Sequence, residues 1–284
     1  MNMISTRLKH RTGVILVLVS AVVFSLAGIF TKGVEADAWG VIYWRGLAAA
    51  LFTLGYLIMR GELKREITSF GGPALAVTLT MALGTVAFIP AFKLTSVANV
   101  ALIWATAPFI TAALAWIFIG ERPTRVVIIA SCAAFCGVVV IVAGSVRAGN
   151  LMGEILAFWM TLMMGATMVI YRRWPETTAA LPAALSSLVL LPVALFFGAP
   201  LSVQTGELPV LVLFGLVFAV ASVTLSEGAR RLPSAETALL STLETPLAPA
   251  LAFLVLHEVP ATLTVFGGVV IFAAVVWSQR AKQD

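Results

Sequence analysis

Glu244 is the residue in this 284-residue sequence with the most chemistry to offer. It stands about ten residues into the apolar run 235–256, so about 15 Å along a helix at 1.5 Å per residue, near the middle of a layer about 30 Å thick. A carboxylate at that depth costs several kcal/mol and marks a functional position by default. Thr237, Ser241 and Glu244 recur at helical spacing, which predicts one polar stripe facing a cavity. Such a carboxylate can bind a substrate ammonium or take up a proton that drives transport. The alternative is a carboxylic acid bonded to a neighbouring helix.

Asn99 and Thr106 occupy corresponding places in an earlier apolar run, 96–119, pairing with Thr237 and Glu244 at a spacing of 138 residues. Asn99 offers donors and an acceptor suited to a zwitterion, or equally to a bond between helices. Pro108 and Pro246 match at the same spacing and, by freeing backbone carbonyls, are candidate hinges; packing kinks are the alternative. Trp104 and Trp159 lie deep in their runs, where their rings could stack on a flat substrate. Met163, with Met160, Met164 and Met168, would give an adaptable wall beside Trp159. Ordinary bundle packing accounts for these aromatic and thioether side chains slightly better. Trp39, Trp44, Trp116, Trp174 and Trp277 fall near run ends, where aromatic belts are expected. Arg45 reads as a structural residue whose long stem reaches the interface, with a carboxylate partner as the alternative. Cys132 and Cys136, one turn apart, read as small packing residues.

Enzymatic constellations are wanting. His257-Glu258 is followed at position 261 by Ala, so the two-histidine zinc motif fails. No G-x-S-x-G elbow occurs, and the aspartates are Asp37 and Asp284. Two histidines leave little for a metal site, and no cofactor is implied.

The elements that must position these residues are membrane helices. Hydrophobic residues make up 61% of the chain, charged ones 11%, and the mean hydropathy is +1.05. A water-soluble domain carries about a quarter charged residues, so soluble enzymes and nucleic-acid binders are excluded as wholes. Ten apolar runs long enough to span are read at 13–31, 39–59, 73–92, 96–119, 126–145, 151–171, 180–198, 209–227, 235–256 and 261–278. The first is too long for a signal-peptide core and reads as an uncleaved span.

With the N-terminus inside, the internal segments hold Arg7, Lys9, Arg11, Arg60, Lys64, Arg65, Arg122, Arg125, Arg172, Arg173, Arg230, Arg231, Arg280 and Lys282. The external ones hold only Lys32, Lys93 and Arg147, with Arg45 inside a span. The positive-inside rule therefore places both ends in the cytoplasm. Lys32, Glu35 and Asp37 then read as a solvated external loop, and Glu227, Arg230, Arg231 and Glu236 as a wet internal one.

Five spans per half is an odd number, so the second half enters inverted. The expected organisation is an internal segment 1–12, a first repeat 13–145, a second 146–278 and a tail 279–284. Inverted repeats with discontinuous helices are the architecture of secondary transporters.

The run ending Gly120-Glu121-Arg122, with Pro108 before it and Gly137 after it, resembles the EamA repeat of the drug/metabolite transporter superfamily, as does WRGLAAALF at Trp44–Phe52. The second copy reads His257-Glu258-Val259 where the first has Gly-Glu-Arg. The resemblance covers essentially the whole chain, and within the superfamily it is most like the aromatic amino acid exporters of the YddG type. It implies an all-α, ten-helix inner-membrane carrier with a central cavity lined by spans 1, 3, 4, 6, 8 and 9. The expected substrate is an amino acid, aromatic by preference, or a similar metabolite. The alternative is a broad drug or metabolite exporter. Protons are a possible second partner, and one chain suffices to enclose a cavity, so a functional monomer is expected.

Overall fold

A computed structural model of the chain describes residues 3–145, 151–257 and 262–280; Arg147, Glu258 and Lys282 lie outside these stretches. Among the described residues every regular element is helical, as a bilayer demands of a chain that must satisfy its backbone polar groups internally. In chain order the helices are α1 (Met3–Phe24), α2 (Ala27–Lys32), α3 (Ala38–Met59), α4 (Leu63–Thr68), α5 (Gly72–Leu94), α6 (Val97–Trp104) and α7 (Ala107–Ile119). There follow α8 (Arg125–Ser145), α9 (Leu151–Arg173), α10 (Ala180–Phe197), α11 (Leu208–Ala229), α12 (Ser234–Ser241), α13 (Glu244–Leu256) and α14 (Thr262–Arg280). Seven stretches are long and apolar enough to cross a membrane, and three shorter apolar helices run over Ala107–Ile119, Arg125–Gly137 and Val265–Ala274. The chain is a multi-pass membrane protein.

Three apolar stretches are interrupted halfway. α1 gives way to α2 at Ser25–Leu26, α6 to α7 at Ala105–Thr106, and α12 to α13 at Thr242–Leu243. Tight backbone bonds bridge the breaks, Leu26 N–H to Val23 O (3.3 Å), Thr106 N–H to Ile103 O (3.0 Å) and Leu243 N–H to Leu240 O (3.2 Å). Pro108 is the second residue of α7 and Pro246 the third of α13. A proline in a first turn removes no intrahelical bond, so these two start a new helix rather than bend an old one.

α3 packs between α10 and α11, α5 against α9, α1 against α11, and α8 against α14. The main core joins both halves of the sequence through Val17, Phe24, Phe92, Trp104, Met168, Phe218 and Leu239. α3 and α11 approach closely at Gly215, where a Cβ would lie 2.4 Å from the Ala48 Cβ and 2.7 Å from the Arg45 carbonyl oxygen.

The face bearing the arginine-rich connections is more ordered than a solvated loop. Glu236, expected to be wet, is buried in the first turn of α12 and pairs with His10 of α1 at 3.1 Å, because α1 folds over that turn. Glu227 meets Arg230 at 2.7 Å and also binds Arg231, while Arg172 binds Glu121 at 3.2 Å. At the other face Asp37 caps α3 through the Gly40 N–H (2.8 Å), so it is a structural residue and not merely a solvated one. Cys132 and Cys136 are exposed on α8, not packed inside the bundle.

Two predictions follow from local geometry. α7 and α13 both end on a residue in the left-handed region, Gly120 at φ +69° and His257 at φ +57°. A side chain there costs about 1 kcal/mol, so His257→Gly should raise unfolding stability by about that amount and Gly120→Ala should lower it comparably, read from denaturant melts in detergent. In α4, the carboxylate of Glu66 accepts the Leu181 N–H at 2.6 Å, at the start of α10. Burial disfavours its charge and holds its pKa above the ordinary carboxylate value, against the opposing pull of the Leu181 and Ala180 N–H groups. A raised folded pKa means stability that is present at low pH and lost as pH rises through the carboxylate range and above it. Glu66→Gln should therefore gain on the wild type in melting temperature as pH is raised; parallel pH profiles would refute this.

Candidate functional site

A cavity of about 870 Å³, its opening included, lies at the centre of the bundle. Its walls come from α1, α5, α6, α9, α11 and the break between α12 and α13. These are the spans numbered 1, 3, 4, 6, 8 and 9 in the sequence. The walls are chiefly apolar and aromatic: Phe24, Phe88, Trp104, Tyr171 and Phe218, with Met81, Met160, Met164 and Met168.

Glu244 is the carboxylate of this cavity. It begins α13, so the interruption places it at a helix N-terminus in mid-span, and its side chain is almost wholly buried. Ser241, the last residue of α12, also lines the cavity and donates to the Thr237 carbonyl at 2.9 Å. Trp104 forms part of the wall, and its indole N–H donates to the Ser241 carbonyl at 3.2 Å. In return the Thr245 hydroxyl donates to the Ala101 carbonyl at 3.0 Å. Each interrupted helix thus bonds to a backbone carbonyl of the other.

The other singled-out residues lie elsewhere. Thr237 is fully buried one turn away and donates to the Pro233 carbonyl at 3.1 Å. The stripe expected from Thr237 to Glu244 is broken because α12 ends at Ser241, so helical periodicity does not carry across. Asn99 binds Thr95 (3.1 Å) and Glu154 (3.3 Å), tying α6 to the first turn of α9. Thr106 donates to the Ile103 carbonyl at 2.7 Å within the break. Trp159 is 42% exposed and donates to the Leu83 carbonyl at 3.2 Å, on the outside of the α5–α9 pair. Met163 packs near Gly84 and is not among the cavity's lining residues. The lining residues of α9 are instead Met160, Met164, Thr167, Met168 and Tyr171, and the methionine row lies one residue, or about 100°, round from Trp159 and Met163.

Sequence reasoning passed over the face of α11. Phe218, Ser222 and Ser226 recur at i, i+4 and i+8 and line the cavity. Two serines at helical spacing in an apolar run were the available signal. Arg45 does not reach the interface: it is fully buried, with its guanidinium carbon 3.8 Å from the Phe218 ring centroid. The close approach of α3 and α11 at Gly215 encloses it before its stem can extend outward. Among the described residues no group of three or more metal-ligating side chains occurs.

Comparison with known proteins agrees with a duplicated carrier. No curated protein matches the chain. A crystal structure described only as that of a protein superposes with a TM-score of 0.77, covering 99% of each chain at 15% identity, which speaks to the fold alone. The model of the EamA-like transporter family matches twice, over residues 11–143 and 151–279. Matched over nearly its whole length by two copies of that model, the chain belongs to the EamA-like transporter family and is a membrane transporter of small molecules.

Proposed function

We propose that the protein exports amino acids, aromatic ones by preference, by alternating access of a central site. In this reading ten spans form two inverted five-helix repeats, with α1–α2, α6–α7 and α12–α13 each counted as one interrupted span. Both termini face the cytoplasm, the carrier sits in the cytoplasmic membrane, and one chain is the functional unit. Protons are a candidate coupling partner. The observation that carries the reading is a central cavity walled by aromatic rings and thioethers in which Glu244 is, among the described residues, the one carboxylate. An aromatic side chain would be buried against Phe24, Phe88, Trp104 and Phe218, and an ammonium would be met by Glu244. Ring packing of this kind is worth about 0.5–1.5 kcal/mol beyond the area buried.

The direction of the repeats is supported by the matched breaks, the matched left-handed helix ends and the concentration of arginine on one face. Pro108 and Pro246, each opening a half-helix, remain the candidate hinges. Asn99, Thr106 and Thr237 are proposed to act from outside the cavity, by holding the ends of interrupted helices. A second reading, a broad exporter of drugs or metabolites, is favoured by the four methionines of the wall, which repack around varied shapes.

Counterflow in proteoliposomes preloaded with a panel of amino acids separates the readings. Saturable exchange selective for Phe, Tyr or Trp is expected, and Glu244→Gln should reduce it about tenfold, the worth of one charge-assisted hydrogen bond. Preserved exchange with loss of proton-dependent export would make Glu244 a coupling group instead. No exchange of any amino acid by folded protein would overturn the substrate assignment and leave the broader reading. The position of the rings gives a further contrast. Trp104→Phe should weaken ligand affinity by severalfold, whereas Trp159→Phe, on the outer surface, should leave it unchanged; equal effects would refute the cavity as the site.

A further inference from the structure

Arg45 is the largest fully buried side chain among the described residues, and its Nε, Nη1 and Nη2 atoms have no hydrogen-bond partner there. What surrounds the guanidinium is aromatic: the Phe218 centroid at 3.8 Å and the Phe214 centroid at 5.5 Å. A guanidinium keeps its proton in proteins. Five N–H donors and a full charge buried in a membrane protein are costly, and contact with an aromatic face returns only about 2 kcal/mol. A purely structural role is a poor account of such a residue, since an apolar side chain of the same length would fill the space at no electrostatic cost.

The surroundings supply a second observation. Phe218 lines the central cavity and also carries Arg45 on its ring, so it joins the guanidinium to the cavity wall. One turn further along α11, Ser222 opens on the same cavity, and its hydroxyl is buried without a partner. The hydroxyls around it are otherwise engaged: Ser20 donates to the Ala221 carbonyl, Thr167 to the Met163 carbonyl and Ser241 to the Thr237 carbonyl. A buried, unused hydroxyl on a cavity-lining residue and an unpaired cation stacked on its neighbour Phe218 mark one patch of the wall.

We infer that the α3–α11 wall is an anion subsite of the cavity, which takes a carboxylate of the transported molecule through the Ser222 hydroxyl and the charge of Arg45. This deepens the amino-acid reading and rests on it for the identity of the substrate. It also orients the ligand. A carboxylate is drawn to the Arg45 wall, so the ammonium of the same molecule is left to face Glu244. In the low dielectric of that wall, the Arg45 charge is not screened as it would be in water. Outward rotation of the Phe218 ring would let the carboxylate meet the guanidinium directly.

The test uses full-length protein in nanodiscs and two matched ligand pairs, L-phenylalanine with L-phenylalaninamide, and 3-phenylpropanoate with 3-phenylpropanamide, titrated calorimetrically. The wild type is expected to prefer each acid over its amide about tenfold. Arg45→Met should abolish that preference by weakening the acids alone, and should melt no lower than the wild type. Arg45→Lys should retain part of the preference, and Ser222→Ala should reduce it; these two decide the matter if Arg45→Met does not fold. An unchanged acid-to-amide ratio in folded Arg45 variants would overturn the subsite while leaving amino-acid transport standing. A wild type that binds the amides as well as the acids, or binds neither acid, would overturn it too. Arg45-dependent binding of 3-phenylpropanoate without binding of L-phenylalanine would sustain the subsite and remove the amino-acid reading.

Discussion

Backbone carbonyls interrupted in the middle of an apolar layer have to find donors, and most of what is distinctive in this protein follows from how they do so. In hydrocarbon each unsatisfied group costs several kcal/mol. The breaks at Ala105–Thr106 and Thr242–Leu243 are sustained by shortened backbone turns and by a reciprocal exchange, Trp104 to Ser241 and Thr245 to Ala101. That exchange binds one half of the sequence to the other at mid-depth. It also puts an indole, a serine and the start of α13 together, and with them the carboxylate of Glu244. The cavity is therefore organised by the same bonds that make the breaks tolerable.

Much of this was legible in the sequence, and the part that was not has identifiable causes. Hydropathy located the apolar stretches to within a few residues because a bilayer imposes length and composition together. Pro108 and Pro246 announced two of the interruptions, and Glu244, singled out for its depth, lines the central cavity. Rotation about a helix axis was harder. In α9 the choice between Trp159–Met163 and Met160–Met164–Met168 is a matter of one residue, and both sets are apolar, so no polarity difference between them decides it. Thr237 was misplaced for a different reason: a stripe argument assumes a continuous helix, and α12 stops at Ser241.

Arg45 shows the limit most clearly. A lone arginine six residues inside a span has the reach to find the interface, and sequence offers no way to know that it is walled in. The wall depends on Gly215, some 170 positions away, which lets α11 approach α3 closely enough to cover the guanidinium with Phe214 and Phe218. Pairings between residues 137 or 144 apart, such as Trp104 with Ser241 and Thr245 with Ala101, are likewise products of the assembled bundle and leave no local pattern.

The Trp104 indole has two duties that cannot be separated. Its face is cavity wall and its N–H is a tie between interrupted helices, so a molecule that tilts the ring also strains the tie. Cavity occupancy and the relation of the two halves are then linked thermodynamically, through a bond worth about 1 kcal/mol, or roughly a fivefold bias. By reciprocity, any displacement of the halves that releases Ser241 alters affinity in the cavity by the same factor. A single side chain is thus shared between the wall of the cavity and the joint of the two halves.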